Sequence, residues 1–223
     1  MKLFLFLVVF CQIWTFEAQA KLIKVAIIDT GLELNRFSQA NLCIGEHLDL
    51  TGEGLDDFNG HGTNVTGLIV ANAGDPSTYC IVIIKAYAMK SVPIRSWVDE
   101  AMVYAATINA DVVNVSGGGY GWSEIEHNGV KALLNSKGIL VAAAGNNRIN
   151  LNGRCNYYPA CYDKRIVVVG ANEPFSNTGK IIDIKISGKD RTAFGITMTG
   201  TSQATAIVAG GIIKNLAIKR KVR

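Results

Sequence analysis

Hydrophobic residues along the chain gather in short runs, and longer stretches of mixed polarity separate them. Five runs are apolar along most of their length, which is typical of strands buried on both faces of a sheet, and a sixth is weaker. The runs span residues 22–28, 81–86, 111–115, 139–144 and 166–169, with the weaker one at residues 181–186.

Apolar residues at helical spacing fill the intervals between several runs. Ser96 is predicted to cap one such helix, whose apolar positions are Trp97, Met102, Ala105 and Ile108. A second helix is predicted from a capping box, in which Ser123 is followed three residues later by Glu126. Gly138 stands where the C-cap of this second helix belongs.

The alternation of strands and helices predicts an α/β domain over residues 21–223. We expect a mostly parallel sheet flanked by helices on both faces, which makes three layers. Functional residues of such sheets gather at the carboxyl ends of the strands.

The first twenty residues have the pattern of a secretory signal peptide. Lys2 precedes an interrupted apolar stretch over residues 3–14, and residues 18–20 form a small-x-small ending. The stretch is shorter than the roughly 20 apolar residues that span a membrane, which favours a cleaved signal over an uncleaved anchor. We therefore expect residues 1–20 to be removed, and a secreted or periplasmic protein with no stable membrane anchor.

Composition excludes two broad classes of protein. Of the 223 residues, 49% are hydrophobic and 18% are charged, which excludes a wholly disordered chain. The net charge is only +4 and the basic residues show little clustering, so nucleic acid is not expected as a partner.

Four cysteines remain once the predicted signal peptide, which contains Cys11, is removed. An even number of cysteines in an exported chain predicts disulfides. Cys155 and Cys161 flank a short loop and are expected to close it, which leaves Cys43 to pair with Cys80. Free thiols in a reducing compartment are the alternative. A zinc site is disfavoured because no histidine lies at ligand spacing from these cysteines.

Two residues with catalytic chemistry stand at element boundaries in the first third of the chain. Asp29 ends the first apolar run, where a carboxylate is costly to ionise unless partners surround it. A turn-forming aspartate before Gly31 is an equal alternative for that position. His61 lies between two glycines at the start of an apolar helix, although a lone histidine in such a place is more often structural.

Two more such residues follow later in the chain. Asn146 comes directly after a strand and Gly145, so its amide is placed to donate a hydrogen bond, although an ordinary asparagine-rich turn is the alternative. Ser202 begins a helix of small residues, where serine most often acts as a cap. The same position directs backbone N–H groups at any anion formed beside the hydroxyl.

Together, the order Asp, His, Asn, Ser resembles the subtilisin-like serine proteases (the subtilase family, peptidase S8 type) over nearly the whole chain after residue 20. This order of Asp, His and Ser is one of three known orders of the serine protease triad. The resemblance implies a subtilisin-like fold and a secreted serine endopeptidase that hydrolyses peptide bonds. Its strongest parts are Asp29-Thr30-Gly31, His61-Gly62-Thr63-Asn64-Val65 and Gly200-Thr201-Ser202-Gln203-Ala204-Thr205-Ala206.

The resemblance also assigns roles to the four residues. Ser202 is implied as the nucleophile, His61 as the general base and later the acid, and Asp29 as the residue that fixes the imidazole tautomer. Asn146 and the backbone N–H of Ser202 are implied as the oxyanion hole. They would stabilise the negative oxygen of the tetrahedral intermediate that leads to an acyl-enzyme. This chemistry requires no cofactor.

The resemblance further implies how a protein or peptide substrate binds in extended form. The implied substrate-binding residues are Ser116, Gly117, Gly118, Ala144 and Gly145. The first three resemble a segment to which the substrate adds as a strand, because glycines let another backbone approach. The last two resemble one wall of the pocket for the side chain before the scissile bond. Tyr158-Pro159 resembles a family position where the peptide bond is often cis.

The sequence departs from the family pattern in two ways. Ala206 and Ile207 occupy positions where the family usually has Pro and His, which alters helix packing more than chemistry. The predicted signal peptide leads straight into the first strand, with no room for the pro-segment that secreted relatives commonly carry. We therefore expect unaided folding, a separate folding helper or inhibitor as a partner, or an incomplete gene product.

An acidic loop over residues 46–57 raises the question of structural Ca²⁺. Its spacing fits no defined calcium loop, so a solvated turn is the favoured interpretation. The acids of this loop are Glu46, Asp49, Glu53, Asp56 and Asp57.

Two alternatives to a protease stay open at this stage. A subtilase-like domain that binds peptide and cuts little or nothing would carry the same sequence signals. An acyl hydrolase of another fold would place its nucleophile in a Gly-x-Ser-x-Gly elbow, whereas Ser202 lies in Thr-Ser-Gln.

Overall fold

The computed structural model describes residues 21–37, 42–88, 90 and 95–222, and the predicted signal peptide lies outside them. The strands are β1 (Ile23–Asp29), β2 (Leu48–Asp49), β3 (Tyr79–Lys85), β4 (Tyr87–Ala88), β5 (Arg95–Ser96), β6 (Val112–Val115), β7 (Gly119–Tyr120), β8 (Ile139–Ala143), β9 (Tyr157–Tyr158), β10 (Val167–Ala171), β11 (Ile184–Ile186), β12 (Arg191–Ala193) and β13 (Ile196–Met198). The helices are α1 (His61–Ala73), α2 (Val98–Thr107), α3 (Glu124–Asn135) and α4 (Thr201–Lys221), with 3₁₀ turns at Leu34–Arg36 and Pro76–Thr78.

Seven strands form one parallel sheet in the order β11-β10-β8-β6-β1-β3-β2. All six strands predicted from the apolar runs are present, and the two-residue edge strand β2 is an addition that no apolar run predicted. Because the strands are parallel, their carboxyl ends lie along one edge of the sheet. Asp29 is paired there with Lys85, and Val115 is paired with Ile28 on one side and Ala142 on the other.

The sheet is buried on both faces, as the unbroken apolar runs predicted. Along β1, Val25 and Ile27 face a core formed with α1 and α4. Ala26 and Ile28 face a second core formed with α2 and α3. The predicted three-layer α/β architecture is therefore confirmed, and α1 and α4 share one layer.

The two helices of that layer approach each other closely at a glycine. A Cβ at Gly210 of α4 would lie 2.5 Å from the carbonyl oxygen of Ile69 in α1. Any larger side chain would push the helices apart. Since His61 begins α1 and Ser202 lies in the first turn of α4, this contact helps to fix the separation between them.

Three local predictions about helix ends need correction. Trp97, and not Ser96, is the N-cap of α2, because Ser96 belongs to β5 and pairs with Tyr87 of β4. Ser123 does cap α3, because its hydroxyl oxygen accepts from Glu126 N at 3.3 Å. The second bond of a capping box, from Ser123 N to the Glu126 carboxylate, is absent among the described residues, because Ser123 N donates to the Tyr162 hydroxyl.

At the other end of α3, the left-handed residue is Lys137, with φ of 70°, and not Gly138. Gly138 N still bonds Leu133 O at 3.0 Å, and Lys137 N bonds Leu134 O at 3.2 Å. These two bonds form the Schellman closure of the helix, one residue earlier than predicted.

The cysteines pair as predicted. Cys43 is bonded to Cys80 at the start of β3, and Cys155 is bonded to Cys161 around the short loop that contains β9. The Tyr158-Pro159 peptide bond in this loop is cis. In the part of the chain that the structure describes, no helix is both long enough and apolar enough to cross a membrane.

Candidate active site

The imidazole of His61 is held by the carboxylate at the end of β1. His61 Nδ1 lies 2.7 Å from Asp29 Oδ1, and Asp29 is buried. Thr30 N donates to the same carboxylate oxygen at 2.8 Å. A carboxylate at Nδ1 keeps the proton of the neutral ring on that nitrogen, so Nε2 is the atom that can accept a proton.

The electrostatic surroundings of His61 favour its charged form. Burial lowers the pKa of the imidazole, but attraction to the Asp29 carboxylate, the hydrogen bond between them and the charge of Asp57 together outweigh burial. The pKa of His61 therefore lies above its ordinary value of 6.5. A base with a raised pKa binds a proton more tightly, which suits a group that must hold one in a reaction intermediate.

The two positions that flank His61 require glycine for different structural reasons. Gly60 is the N-cap of α1 with φ of 86°, a left-handed conformation that favours glycine. A Cβ at Gly62 would lie 2.3 Å from the carbonyl oxygen of Gly31. Because Gly62 has no side chain, the first turn of α1 can lie directly against the turn after β1, which brings His61 to Asp29.

Asp57 is a functional candidate that the sequence pattern did not reveal. It is only 5% exposed, so its interpretation as part of a solvated turn was wrong. Its carboxylate accepts from Thr30 Oγ1 at 2.9 Å, from the N–H groups of Asn59 and Gly60 at 3.0 and 2.8 Å, and from both N and Oγ1 of Thr63 at 2.8 Å. The signal that could have revealed it is an acid four residues before a helix whose first turn needs acceptors.

Most other acids of the loop are also bound to protein donors. Glu46 pairs with Lys24 at 2.7 Å, Asp49 accepts from Thr51 N and Gly54 N at 2.8 Å, and Glu53 lies 3.3 Å from the buried ammonium of Lys85. Within the described ranges, no three potential ligands converge on a point where a metal ion could bind.

Ser202 lies in the first turn of α4, with Gly200 as the N-cap. Its hydroxyl donates to Ser116 O at 2.5 Å, and Ser116 Oγ donates in return to Ser202 O at 3.1 Å. Among the described residues, the Ser202 hydroxyl makes no hydrogen bond to His61. The carboxyl end of β6 is thus tied directly to the start of α4.

Asn146 contacts the start of the same helix. Asn146 Oδ1 accepts from Thr201 N at 2.9 Å, and Gly145 N donates to Thr201 Oγ1 at 3.2 Å. A Cβ at Gly200 would lie 3.2 Å from Asn146 Nδ2. The amide donor of Asn146 and the first-turn N–H of Ser202, which has no carbonyl within the helix to bind, therefore lie at one helix N-terminus.

Some of the predicted catalytic and substrate-binding residues line one cavity of about 230 Å³. Its lining residues are Asp29, Thr30, Asn59, His61, Tyr87, Ser116, Gly117 and Gly118. Ser202 is attached to this wall through Ser116. Ala144 and Gly145 are not among the lining residues of this cavity. Both are buried, and their carbonyl groups accept from Asn177 Nδ2 at 2.7 Å and Asn177 N at 2.8 Å.

The glycines of the predicted substrate segment are required by the protein itself. A Cβ at Gly117 would lie 2.3 Å from the Tyr87 hydroxyl oxygen, and one at Gly118 would lie 2.5 Å from the ring of Tyr157. Space for a substrate backbone was the expected reason for these glycines. The structure adds that tyrosine side chains fill the place of their missing Cβ atoms.

Buried amides behind the cavity were not predicted and have structural roles. Asn177 holds the turn after β8 by accepting from the N–H groups of Asn147 and Ile149, both at 3.0 Å. Asn64 of α1 accepts from Gln203 of α4 at 3.1 Å, which joins the two helices one turn behind the site. These structural roles could be assigned only once the contacts between the joined elements were known.

Comparison with known proteins now fixes the family. The intracellular serine protease of Paenibacillus polymyxa is 30% identical over an alignment of 233 positions, gaps included, and the alignment covers 92% of this chain and 70% of that protein. A profile of the subtilase family (peptidase S8) matches residues 20–217. The chain belongs to the subtilase family. It is therefore a serine-type endopeptidase, and subtilases need no cofactor for catalysis.

Other subtilases extend the comparison in fold and location. The minor extracellular protease Epr of Bacillus subtilis is 30% identical and covers 87% of this chain, which spans 32% of that protein. A crystal structure of a cold-adapted subtilisin-like serine proteinase superposes with a TM-score of 0.70 at 26% identity, covering 90% of this chain and 76% of that one. Relatives thus include both intracellular and extracellular proteases.

Proposed function

We propose that this subtilase hydrolyses peptide bonds through Asp29, His61 and Ser202, with an oxyanion hole formed by Asn146 Nδ2 and the N–H of Ser202. The observation that carries the proposal is the 2.7 Å contact between His61 Nδ1 and Asp29 Oδ1 on a cavity whose wall is bonded to Ser202. The folded chain thereby orients the proposed base on a cavity whose wall is bonded to the proposed nucleophile.

The first half of the proposed reaction forms the acyl-enzyme. The Ser202 hydroxyl exchanges its bond to Ser116 O for one to His61 Nε2, which accepts the proton as Oγ attacks the substrate carbonyl carbon. The resulting oxyanion receives hydrogen bonds from Asn146 and from the helix N-terminus, where the dipole of α4 also stabilises negative charge. His61 then protonates the leaving amine, and Asp29 stabilises the imidazolium in between.

The second half releases the acyl group. Water enters where the amine has left, and His61 takes one of its protons as the water oxygen attacks the acyl carbon, while the same oxyanion hole supports the second tetrahedral intermediate. This intermediate collapses as the bond from the acyl carbon to Ser202 Oγ breaks, His61 returns the proton to Oγ and the carboxylic acid product leaves. Substrate would lie extended along Ser116, Gly117 and Gly118, whose backbone is exposed to the cavity at the end of β6.

Active-site labelling tests this proposal. A fluorophosphonate should label the full chain at Ser202, as located by peptide mass spectrometry, and Ser202→Ala should abolish the label. The matched control Ser123→Ala, on the N-cap of α3, should retain it. A folded wild-type protein that takes no label would refute the proposed nucleophile.

A second candidate function is a subtilase-like domain that binds peptide and cuts little. The observation in its favour is the bond from the Ser202 hydroxyl to Ser116 O, since a hydroxyl held in this way is not yet engaged with a base. Peptide binding without labelling or turnover would support this candidate.

We also propose export, with residues 1–20 as a cleaved signal. The two disulfides support it, because such bonds persist in oxidising compartments. Mass spectrometry of protein from the culture medium or periplasm should give an N-terminus at Lys21. Retention of residues 1–20 in the cytoplasmic fraction would contradict it.

A further inference from the structure

A second cavity, of about 190 Å³, adjoins the first. The two share Tyr87 and Gly118, so the second one continues from the segment proposed to bind substrate. It extends to Tyr120, and four residues of extended chain from Gly117 to Tyr120 span on the order of 10 Å. A side chain several positions away from the scissile bond would reach this second cavity.

A buried carboxylate lines this cavity. Glu126, in the first turn of α3, is only 6% exposed, and its Oε2 accepts from the Tyr162 hydroxyl at 2.9 Å. Its other oxygen, Oε1, is buried and has no hydrogen-bond partner among the described residues. The capping box would have used this carboxylate at Ser123 N, but Tyr162 occupies that place. One acceptor of Glu126 is thus left for another group.

The charge balance of the cavity is negative. Asp99 is a second acid in its lining, and the described lining residues include no lysine or arginine. Burial raises the pKa of Glu126 to about 7, and the nearby charge of Asp99 adds to the rise while the Tyr162 hydrogen bond opposes it. A positive group beside Oε1 would favour the ionised carboxylate and supply its missing hydrogen bond.

The remaining walls also suit a cation. The side chains of Tyr87, Tyr120 and Tyr158 line the cavity, and Tyr120 is 52% exposed. Aromatic faces attract ammonium and guanidinium groups, and arginine most often. A buried acid among tyrosines is therefore a poor site for an apolar side chain and a good one for a basic side chain.

We propose that this cavity is a subsite for a lysine or arginine side chain of the bound peptide, and that Glu126 determines this specificity. The inference rests on the proposed function, since it names part of the substrate. The subsite includes Tyr87 and Gly118, which connect it to the catalytic cavity, and Asp99, which adds to its negative charge.

Matched peptides test the subsite on the full chain. Each position on either side of a cleaved bond is varied between arginine and citrulline, which has the same shape without the charge. At one position distant from the bond, arginine should raise kcat/KM by roughly tenfold, the size expected of a charge-assisted hydrogen bond. Glu126→Gln should bring this ratio close to one.

The control variant is Glu124→Gln, which removes an exposed carboxylate from the same turn of α3 and should keep the ratio. Thermal unfolding of Glu126→Gln establishes that it is folded. A ratio near one at every position in the wild type, or a preference that survives Glu126→Gln, would overturn the proposal.

Binding separates this inference from the proposed function. In Ser202→Ala, fluorescence anisotropy should give roughly tenfold tighter binding of the arginine peptide, and Glu126→Gln in that background should remove the difference. If the wild type cuts nothing while this difference holds, the subsite stands and the catalytic proposal fails. If the wild type cuts peptides and shows no arginine preference in rate or binding, the catalytic proposal stands and the subsite proposal fails.

Discussion

The base and the nucleophile of the proposed site are organised to different degrees. His61 is fixed by Asp29 on one side and, through the start of α1, by Asp57 on the other. Both carboxylates are buried, and they accept from several donors. By contrast, Ser202 has its hydroxyl on Ser116 O, outside hydrogen-bond contact with the base.

This difference indicates which part of the proposed site is already arranged by folding and which part has to rearrange when substrate binds. The orientation and charge preference of His61 come from contacts that the folded chain makes by itself. The Ser202 hydroxyl has to give up a backbone acceptor before it reaches the base. An extended peptide beside Ser116 would compete for that region of backbone, which couples substrate binding to release of the hydroxyl.

The strongest way to break the organised half is Asp29→Asn. An asparagine amide donates to Nδ1 and forces the proton onto Nε2, so the ring can no longer act as a base towards Ser202. We expect kcat to fall by roughly 10⁴-fold in a peptide hydrolysis assay. The control Asp75→Asn removes an exposed carboxylate bound to Lys221 and should be near wild type. A loss below tenfold for Asp29→Asn would contradict the proposed role.

A smaller effect is expected in the other half from Asn146→Ala. The variant keeps the nucleophile and base but removes one donor to the oxyanion, so kcat should fall by roughly 10²–10³-fold, a magnitude known from subtilisin itself. Asn146→Asp sharpens the result, because it retains an acceptor for Thr201 N but replaces the donor to the oxyanion with a negative charge, so kcat should fall at least as far as in Asn146→Ala.

Asn147→Ala is the control for the oxyanion prediction. It changes the neighbouring exposed side chain, and the bond from Asn147 N to Asn177 remains. If Asn146→Asp keeps wild-type kcat, then Asn146 acts on the helix start alone and is not part of the oxyanion hole.

The sequence predicted the sheet well because burial on both faces produces apolar runs that chance rarely gives. It also predicted the pairing of Cys43 with Cys80, since the short loop accounted for the other two cysteines. The end of α3 was misplaced because Lys137 adopts the left-handed conformation usually left to glycine. Such choices depend on packing around the turn, which local sequence does not contain.

Within the proposed site, the residues assigned catalytic roles could be proposed from the sequence, and the residues that hold them in place could not. Asp29 and His61 stand in motifs at element ends, where sequence patterns are strong. Asp57 was interpreted as a surface acid because its five hydrogen bonds come from residues on both sides of it in the chain and appear only in the folded structure. Glu126 was interpreted as a capping residue because the hydroxyl that displaces it, on Tyr162, is 36 residues away.

The smallest predicted effect concerns the charge of Asp57 and the pH dependence of the reaction. Because the pKa of His61 lies above 6.5, imidazolium persists above that pH. We therefore expect kcat/KM to rise with pH through a midpoint above 6.5, as the free base forms. The free energy of unfolding contributed by the His61 contact is present below the ordinary pKa and is lost as pH rises through the raised one.

Asp57→Asn should move that midpoint to lower pH, since it removes a negative charge that favours imidazolium, while kcat/KM well above the midpoint falls less than tenfold. A purely structural role would lower the rate at all pH values and leave the midpoint in place. Asp56→Asn is the matched control, because it removes an adjacent but exposed carboxylate. If both variants shift the midpoint equally, the pKa of His61 responds to the overall charge of the loop and not to the charge of Asp57 in particular.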